Sequence, residues 1–391
     1  MTLWKKNYEL DKSIEKFTVG EDYILDKRLV KYDCIASIAH VGMLGKAGIL
    51  NTSEVKRLRA ELNKIMALDK AGKFGIEQSD EDCHTAIESH LTAKLGKLGM
   101  KVHTARSRND QSLTALRLYY KEELKETENL VLELIESLEA FKKKYGKTVL
   151  PGYTHTRKAM PSSIALWSGA FLDSMDNNLE ILGSVLKLID QSPLGSGAGY
   201  GVPIKIDRKF TAKELGFAKV QGNPIYVQNS RGKFEAAIVG ALSQVMLDLN
   251  KIACDLILFS MPEFGYFILP RKFLTGSSMM PHKNNPDLLE ILRGSYHVVN
   301  SYEFMIKGIA ANLISGYNRD IQLTKGAIMK SFDISRESLG VAIMLFDNLS
   351  VDKDACMRGM SKEIFATGEA YRLVEKGVPF REAYKRISKG Y

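Results

Sequence analysis

Apolar residues recur after Asp110 at mixed three- and four-residue steps: Leu113, Leu116, Tyr120, Leu124, Thr127, Val131, Leu134, Leu138 and Phe141. The spacing puts them on one stripe of a single long helix, which ends near Tyr145-Gly146, where glycine can cap. Roughly 30 residues at about 1.5 Å each span about 45–50 Å. A helix of that length needs partners to cover its stripe. Four more stretches of helical spacing supply them, roughly over 162–189, 233–261, 287–315 and 325–349. The predicted fold is all-α: a central long-helix bundle over 105–350 with polar loops at the helix ends. A smaller N-terminal helical domain (1–104) and a short C-terminal helical domain (351–391) flank it. No internal repeat, low-complexity tract or long linker interrupts this plan.

Composition narrows the class. At 391 residues the chain can bury a large core, and 45% hydrophobic with 26% charged residues is ordinary for a soluble globular protein. No apolar run reaches the length of a membrane span. The start, Met1-Thr2-Leu3-Trp4-Lys5-Lys6, has neither an apolar core nor a small-residue cleavage site, so no secretory signal is expected. Cys34, Cys83, Cys254 and Cys356 are scattered, which favours reduced thiols in a cytoplasm. Only Cys83 stands beside a histidine, His84, and adjacent residues are a poor zinc pair; no structural metal is expected. The net charge of +9 is spread along helical faces, without a basic run interleaved with aromatics, so neither nucleic acid nor membrane is an expected partner.

The polar loops carry the candidate chemistry. Gly276-Ser277-Ser278-Met279-Met280-Pro281-His282-Lys283-Asn284-Asn285-Pro286 puts two hydroxyls, a lysine, a histidine and two asparagines directly before a helix start. Asn285 can cap, Pro286 suits the first turn, and Asp287 favours the positive end of the dipole. Such a loop can hold an anion or stabilise a developing oxyanion on backbone N–H groups, with Lys283 above it. Read alone, it is also an ordinary helix cap. In His103-Thr104-Ala105-Arg106-Ser107-Arg108-Asn109-Asp110-Gln111, Arg106 and Arg108 can hold a carboxylate by paired bonds, with Ser107 and Asn109 adding donors.

These segments resemble those of a known superfamily. The loop 276–286 fills every fixed position of Gly-Ser-Ser-x-Met-Pro-x-Lys-x-Asn-Pro, the signature of the fumarase/aspartase superfamily, whose members release fumarate from succinyl compounds. Segment 103–111 resembles the His-Thr-Gly-Arg-Ser-Arg-Asn-Asp-Gln motif of the argininosuccinate lyases and departs only at Ala105. Ser79-Asp80-Glu81-Asp82-Cys83-His84-Thr85-Ala86, Pro151-Gly152-Tyr153-Thr154-His155, Ser192-Pro193-Leu194-Gly195-Ser196-Gly197-Ala198 and Tyr317-Asn318-Arg319-Asp320-Ile321-Gln322-Leu323-Thr324-Lys325 are similar to further stretches of that family. The likeness runs from Leu3-Trp4 to Phe380-Arg381. It departs at Lys5-Lys6-Asn7-Tyr8, at Thr156-Arg157-Lys158 and after Gln228-Asn229-Ser230, and typical members continue through a longer C-terminal domain.

The resemblance implies elimination of a C–N bond in argininosuccinate, giving L-arginine and fumarate, with no cofactor and no metal. Ser277 takes the place of the base and His155 that of the general acid, although the two roles can be exchanged. Lys283 stabilises the dianionic intermediate, and Glu290 holds the His155 imidazole. Ser107, Arg108, Asn109, Thr154, Asn285, Tyr317, Gln322, Lys325 and His84 take substrate-binding places. The resemblance also implies a cytoplasmic homotetramer whose active sites collect loops from three subunits. Two alternatives stand beside it: another fumarate-releasing lyase of the adenylosuccinate lyase or aspartase type, and a non-catalytic helical assembly protein on this fold.

Overall fold

The computed structural model describes residues 11–391. The likeness at Leu3-Trp4 and the divergence at Lys5–Tyr8 lie outside the described residues. All five expected long helices form, as Arg108–Tyr145, Ile164–Ile189, Lys233–Phe259, Asp287–Ala310 and Thr324–Asn348. The nine-residue stripe read after Asp110 is buried throughout, none of it more than 3% exposed. The architecture is all-α, and the strands are short and paired two by two. One boundary differs: the fourth helix stops at Ala310 rather than near 315, because Asn312 turns left-handed with φ 61°.

The chain divides into two compact units, each made of three segments: Met1–Glu126, Leu182–Gly240 and Tyr302–Lys330 in the first, Thr127–Ile181, Ala241–Ser301 and Ser331–Tyr391 in the second. Each long helix therefore gives one end to each unit. In the first, the helix Val30–Lys46 packs against Thr52–Lys70 and Cys83–Leu95. Thr52–Lys70 begins with a capping box, in which Asn51 and Glu54 exchange side-chain bonds to each other's backbone N–H at 3.0 and 2.9 Å. Such a cap is worth about 1 kcal/mol. Arg117, fully buried, donates to the Gln191 carbonyl (2.7 Å) and to Gln221 Oε1 (2.6 Å) and lies over the Phe234 ring.

In the second unit, polar side chains stitch the long helices together. Asp248 accepts from Ser174 and Asn178, both at 2.7 Å, Asp255 accepts the Trp167 indole N–H at 2.8 Å, and Asp347 accepts Ser137 Oγ at 2.8 Å. Around them, Trp167 sits among Phe141, Phe171, Phe267 and Phe346. The expectation that no apolar stretch reaches membrane-span length meets one exception. Pro224–Phe259 is long and apolar enough, but 56% of its apolar window is buried inside the protein. Packing of long helices against each other demands the same composition as a membrane, which is why the stretch passes.

Candidate functional site

The first unit holds a pocket at the start of the helix Arg108–Tyr145. His84, Arg108, Asn109, Tyr317, Gln322 and Lys325 all line it, so six of the expected substrate-binding residues converge on one cavity. Local structure explains how. Asp82 caps the helix Cys83–Leu95, accepting from the Thr85 N–H at 2.8 Å, which places His84 in the first turn facing inward. Asp110 braces the start of the helix that carries Arg108 and Asn109. Its Oδ1 accepts the Ser107 N–H and its Oδ2 accepts the N–H groups of Gly195 and Gly197, all at 2.9 Å. Gly197 has φ +61°, and a Cβ there would meet the Gly201 carbonyl at 2.7 Å, so the backbone turns closely on itself here and needs glycine.

Charges in the pocket are paired in detail. Lys325 Nζ lies 2.6 Å from Asp26 Oδ1 and 3.1 Å from Asp22 Oδ1. Burial opposes its charge, but the two carboxylates outweigh that and hold the ammonium above the ordinary lysine value. Asp22 itself is pushed up by burial, despite Lys325. Arg108 bridges Asp82 Oδ2 at 3.0 Å and Thr85 Oγ1 at 2.8 Å. Gln322 Nε2 donates to the carbonyls of Thr18 and Val19 at 3.1 and 3.2 Å.

Two motif residues go elsewhere. Arg106 does not line the pocket; it is buried, and its Nη1 donates to Ser37 at 2.8 Å, so it is a core residue rather than a second carboxylate clamp. Ser107 accepts the Asn109 N–H at 3.3 Å and caps the helix start. The pocket also contains residues that sequence reasoning missed: Asp22, Asp26, Glu81, Asp82, Ser112, Arg231 and Arg319. For Glu81 and Asp82 a signal existed, since they stand in the stretch quoted for His84. Asp22 and Asp26 carry no motif. The volume is only about 70 Å³, well short of the roughly 300 Å³ of a small ligand site.

The remaining expected site residues lie in the second unit, on two hairpins. Val149–Thr154 pairs with Arg157–Ser163, and the turn between them is His155-Thr156, with φ 51° and 58°. Two consecutive left-handed residues make the tight turn that suits the twist of a hairpin, but without glycine they are strained. Thr154 and His155 are exposed at its tip. The second hairpin is the signature loop. Thr275–Gly276 pairs with Asn284–Asn285, and Asn285 Nδ2 donates to the Gly276 carbonyl at 3.3 Å, bracing the loop rather than capping the helix that follows. Inside the loop, Ser277 Oγ accepts the N–H groups of Met279 and Met280 at 3.3 and 3.1 Å. Lys283 and Glu290 are exposed. Among the described residues no hydrogen bond or ion pair joins Glu290 to His155 or Lys283 to Ser277.

The buried trio Asp26, Cys83 and His84 brings three potential metal-ligand atoms within 4.8 Å of one another. The donors do not suit a cation, since both Asp26 oxygens are taken, by Lys325 at 2.6 Å and by the Cys83 N–H at 3.2 Å. Burial also holds the Cys83 thiol well above its ordinary pKa, which keeps it protonated.

Comparison with known proteins gives a consistent set of relatives. A family model described as "Lyase" matches residues 6–300. A protein of Thermotoga neapolitana named argininosuccinate lyase is 51% identical, covering 100% of this chain and 98% of that protein. One of the same name from Sorangium cellulosum is 40% identical over 99% of this chain and 90% of its own length. Among solved structures, EDDS lyase in complex with formate matches with TM-score 0.81 at 22% identity, over 97% of this chain and 76% of that one. A fumarate lyase:delta crystallin from Brucella melitensis bound to cobalt matches with TM-score 0.80 at 20% identity, over 98% of this chain and 86% of its own. At these identities the two structures show the shared all-α fold.

Proposed function

The chain belongs to the argininosuccinate lyase family, and from that premise we propose that it cleaves argininosuccinate to L-arginine and fumarate by reversible anti elimination of the C–N bond. The observation that carries the substrate assignment is the convergence of Arg108, Asn109, Tyr317, Gln322, Lys325 and His84 on one pocket. Ser107, Thr154 and Asn285 complete the proposed binding set. A proton on carbon beside a carboxylate is a weak acid, so the reaction needs a base and a place for the charge that develops. We assign the base to Ser277. Support comes from its two backbone N–H donors, those of Met279 and Met280, which would stabilise the oxygen as it loses its proton. Lys283 supplies positive charge for the dianionic intermediate. His155, steadied by Glu290, returns a proton to the leaving guanidine.

We further propose a homotetramer in which neighbouring chains complete each site. The small pocket volume favours this. So does the helix Asp287–Ala310, which exposes Ile291, Val298 and Met305 at seven-residue intervals (71%, 42% and 42%), the spacing of a helix seam that expects a partner. In that assembly 105–350 is the bundle domain, with 1–104 and 351–391 flanking it. A cytoplasmic location fits the scattered free cysteines and the biosynthetic reaction. The deciding experiment is fumarate release, followed by ultraviolet absorbance, from argininosuccinate and in parallel from adenylosuccinate and aspartate. Activity with argininosuccinate alone, abolished by Ser277→Ala, is the expected result. Turnover of either other substrate instead would overturn the specificity.

A further inference from the structure

Asp33 lies on the helix Val30–Lys46 and is completely buried. Three side chains surround its carboxylate. Gln111 Nε2 lies 3.0 and 3.1 Å from its two oxygens, Ser37 Oγ 3.4 Å from Oδ1, and His84 Nδ1 3.2 Å from Oδ2. Burial opposes the charge, but His84, the nearby Arg106 and the Gln111 bond outweigh it and hold Asp33 below its ordinary value. His84 lines the pocket; Asp33 does not. With Nδ1 turned toward Asp33, the Nε2 edge is what the ring has left for the pocket; the Cys83 sulfur lies 3.6 Å from Nδ1 and a long 3.9 Å from Nε2.

We propose that Asp33 is a positioning residue: it fixes the His84 ring through Nδ1 and so presents Nε2–H as a donor to a carboxylate of the bound substrate. The proposal rests on the reading of this pocket as the substrate site. A carboxylate behind an imidazole sets the ring's orientation and favours its charged form. The groups around the ring agree. Burial disfavours the imidazolium, but Asp33, Asp82 and Asp26 outweigh it and raise His84 above its ordinary value. The positive charges nearby are already engaged, Lys325 with Asp26 and Asp22 and Arg108 with Asp82, while Cys83 stays a neutral thiol. Arg319 donates to Gln322 Oε1 and to the Thr18 carbonyl, while Arg231 lies over the Tyr317 ring with its buried Nε unpartnered among the described residues. Among those residues His84 Nε2 is thus one of two donors on cationic groups of the pocket not committed to a protein oxygen, and the one whose ring a buried carboxylate orients.

The test combines a double-mutant cycle with nuclear magnetic resonance of histidine labelled at Cε1. The chain has seven histidines, and His84 is assigned by the signal that disappears in His84→Gln. In the wild type the His84 ring should stay charged at pH 7, whereas in Asp33→Asn it should titrate at lower pH. Asp33→Asn should raise KM for argininosuccinate roughly 10- to 100-fold, the scale of one lost hydrogen bond to a charged group. In the His84→Gln background the same replacement should change KM by less than about 2-fold, because its route through His84 is gone. A wild-type ring that is neutral at pH 7 overturns the proposal, as does an equal KM effect in both backgrounds. If Asp33→Asn does not fold, the wild-type titration still decides, and Asp33→Glu replaces it in the cycle. Failure of the functional reading looks different: wild-type protein then releases no fumarate from argininosuccinate, whatever the His84 signal does.

Discussion

Replacing Lys325 with methionine isolates charge from packing, because methionine fills nearly the same space. In the structure Lys325 Nζ faces Asp26 at 2.6 Å and Asp22 at 3.1 Å, with 6% of the lysine side chain and none of the Asp26 side chain exposed. At an effective dielectric of about 20 the two attractions are worth about 6 and about 5 kcal/mol, but desolvation of the three ions takes back several kcal/mol each. The net loss is better reckoned from what the variant must do. Asp26 cannot stay ionised and buried without a partner, so it takes up a proton. At pH 7, against an ordinary carboxyl value near 3.9, that costs about 4 kcal/mol. The figure falls within the ~3–5 kcal/mol expected for breaking a buried pair.

The sign with pH follows. In the wild type the raised Lys325 contributes stability that is fully present below the ordinary lysine value and is lost only as pH rises through its higher folded value. Between pH 5 and 7 that contribution is flat. In Lys325→Met, the folded carboxyl lies above its unfolded value, so stability is lost as pH rises through that range. The deficit should therefore be about 4 kcal/mol at pH 7 and shrink by about 1.4 kcal/mol per unit of acidification. Native-state amide exchange over Asp22–Arg28 measures it locally, and urea unfolding measures it globally. Lys325→Met combined with Asp26→Asn should recover more than half. A deficit below about 1 kcal/mol, or one unchanged between pH 7 and 5, would refute the reasoning.

Other outcomes are equally specific. Ser277→Ala should lower kcat by roughly 10²–10⁴-fold with the unfolding midpoint unchanged, and a loss under about 10-fold in steady-state fumarate release would remove Ser277 from the role of base. The Asp110 carboxyl, pushed up by burial to about 6, should titrate there in carbon-13 spectra; a value below about 4 contradicts the enclosed loop junction. Gly197→Ala places a Cβ 2.7 Å from the Gly201 carbonyl at a left-handed φ, and should cost about 1–3 kcal/mol in unfolding experiments. Thr156→Gly relieves a left-handed φ of 58° in the His155 turn and should stabilise the hairpin by up to about 1 kcal/mol, with lower thermal stability as the contrary result.

Periodicity and proximity explain which parts of the molecule were legible in the sequence. The stripe from Leu113 to Phe141 could be read because every member obeys one local rule, and a helix this long has no way to satisfy it except by burial. The signature loop was legible for a related reason: Ser277 and the Met279 and Met280 amides that it meets lie within three residues of each other. Arg106 shows where local reading stops. Its neighbour Arg108 enters the pocket, while Arg106 turns to Ser37, 69 residues away, and no spacing rule distinguishes the two. The same holds for Asp26 and Lys325, which are 299 positions apart, and for Asp33 and Gln111, 78 apart. Such pairs form only because burial leaves a charge no water to turn to, and burial is a property of the assembled fold. The motif residues name the chemistry, but Asp22, Asp26 and Asp33, which stand in no motif, decide how those side chains are held. An ordinary aspartate in the sequence becomes a determinant of the site only when the fold removes its solvent. That is why Arg108 and Lys325 could be anticipated, while Asp22, Asp26 and Asp33 could not.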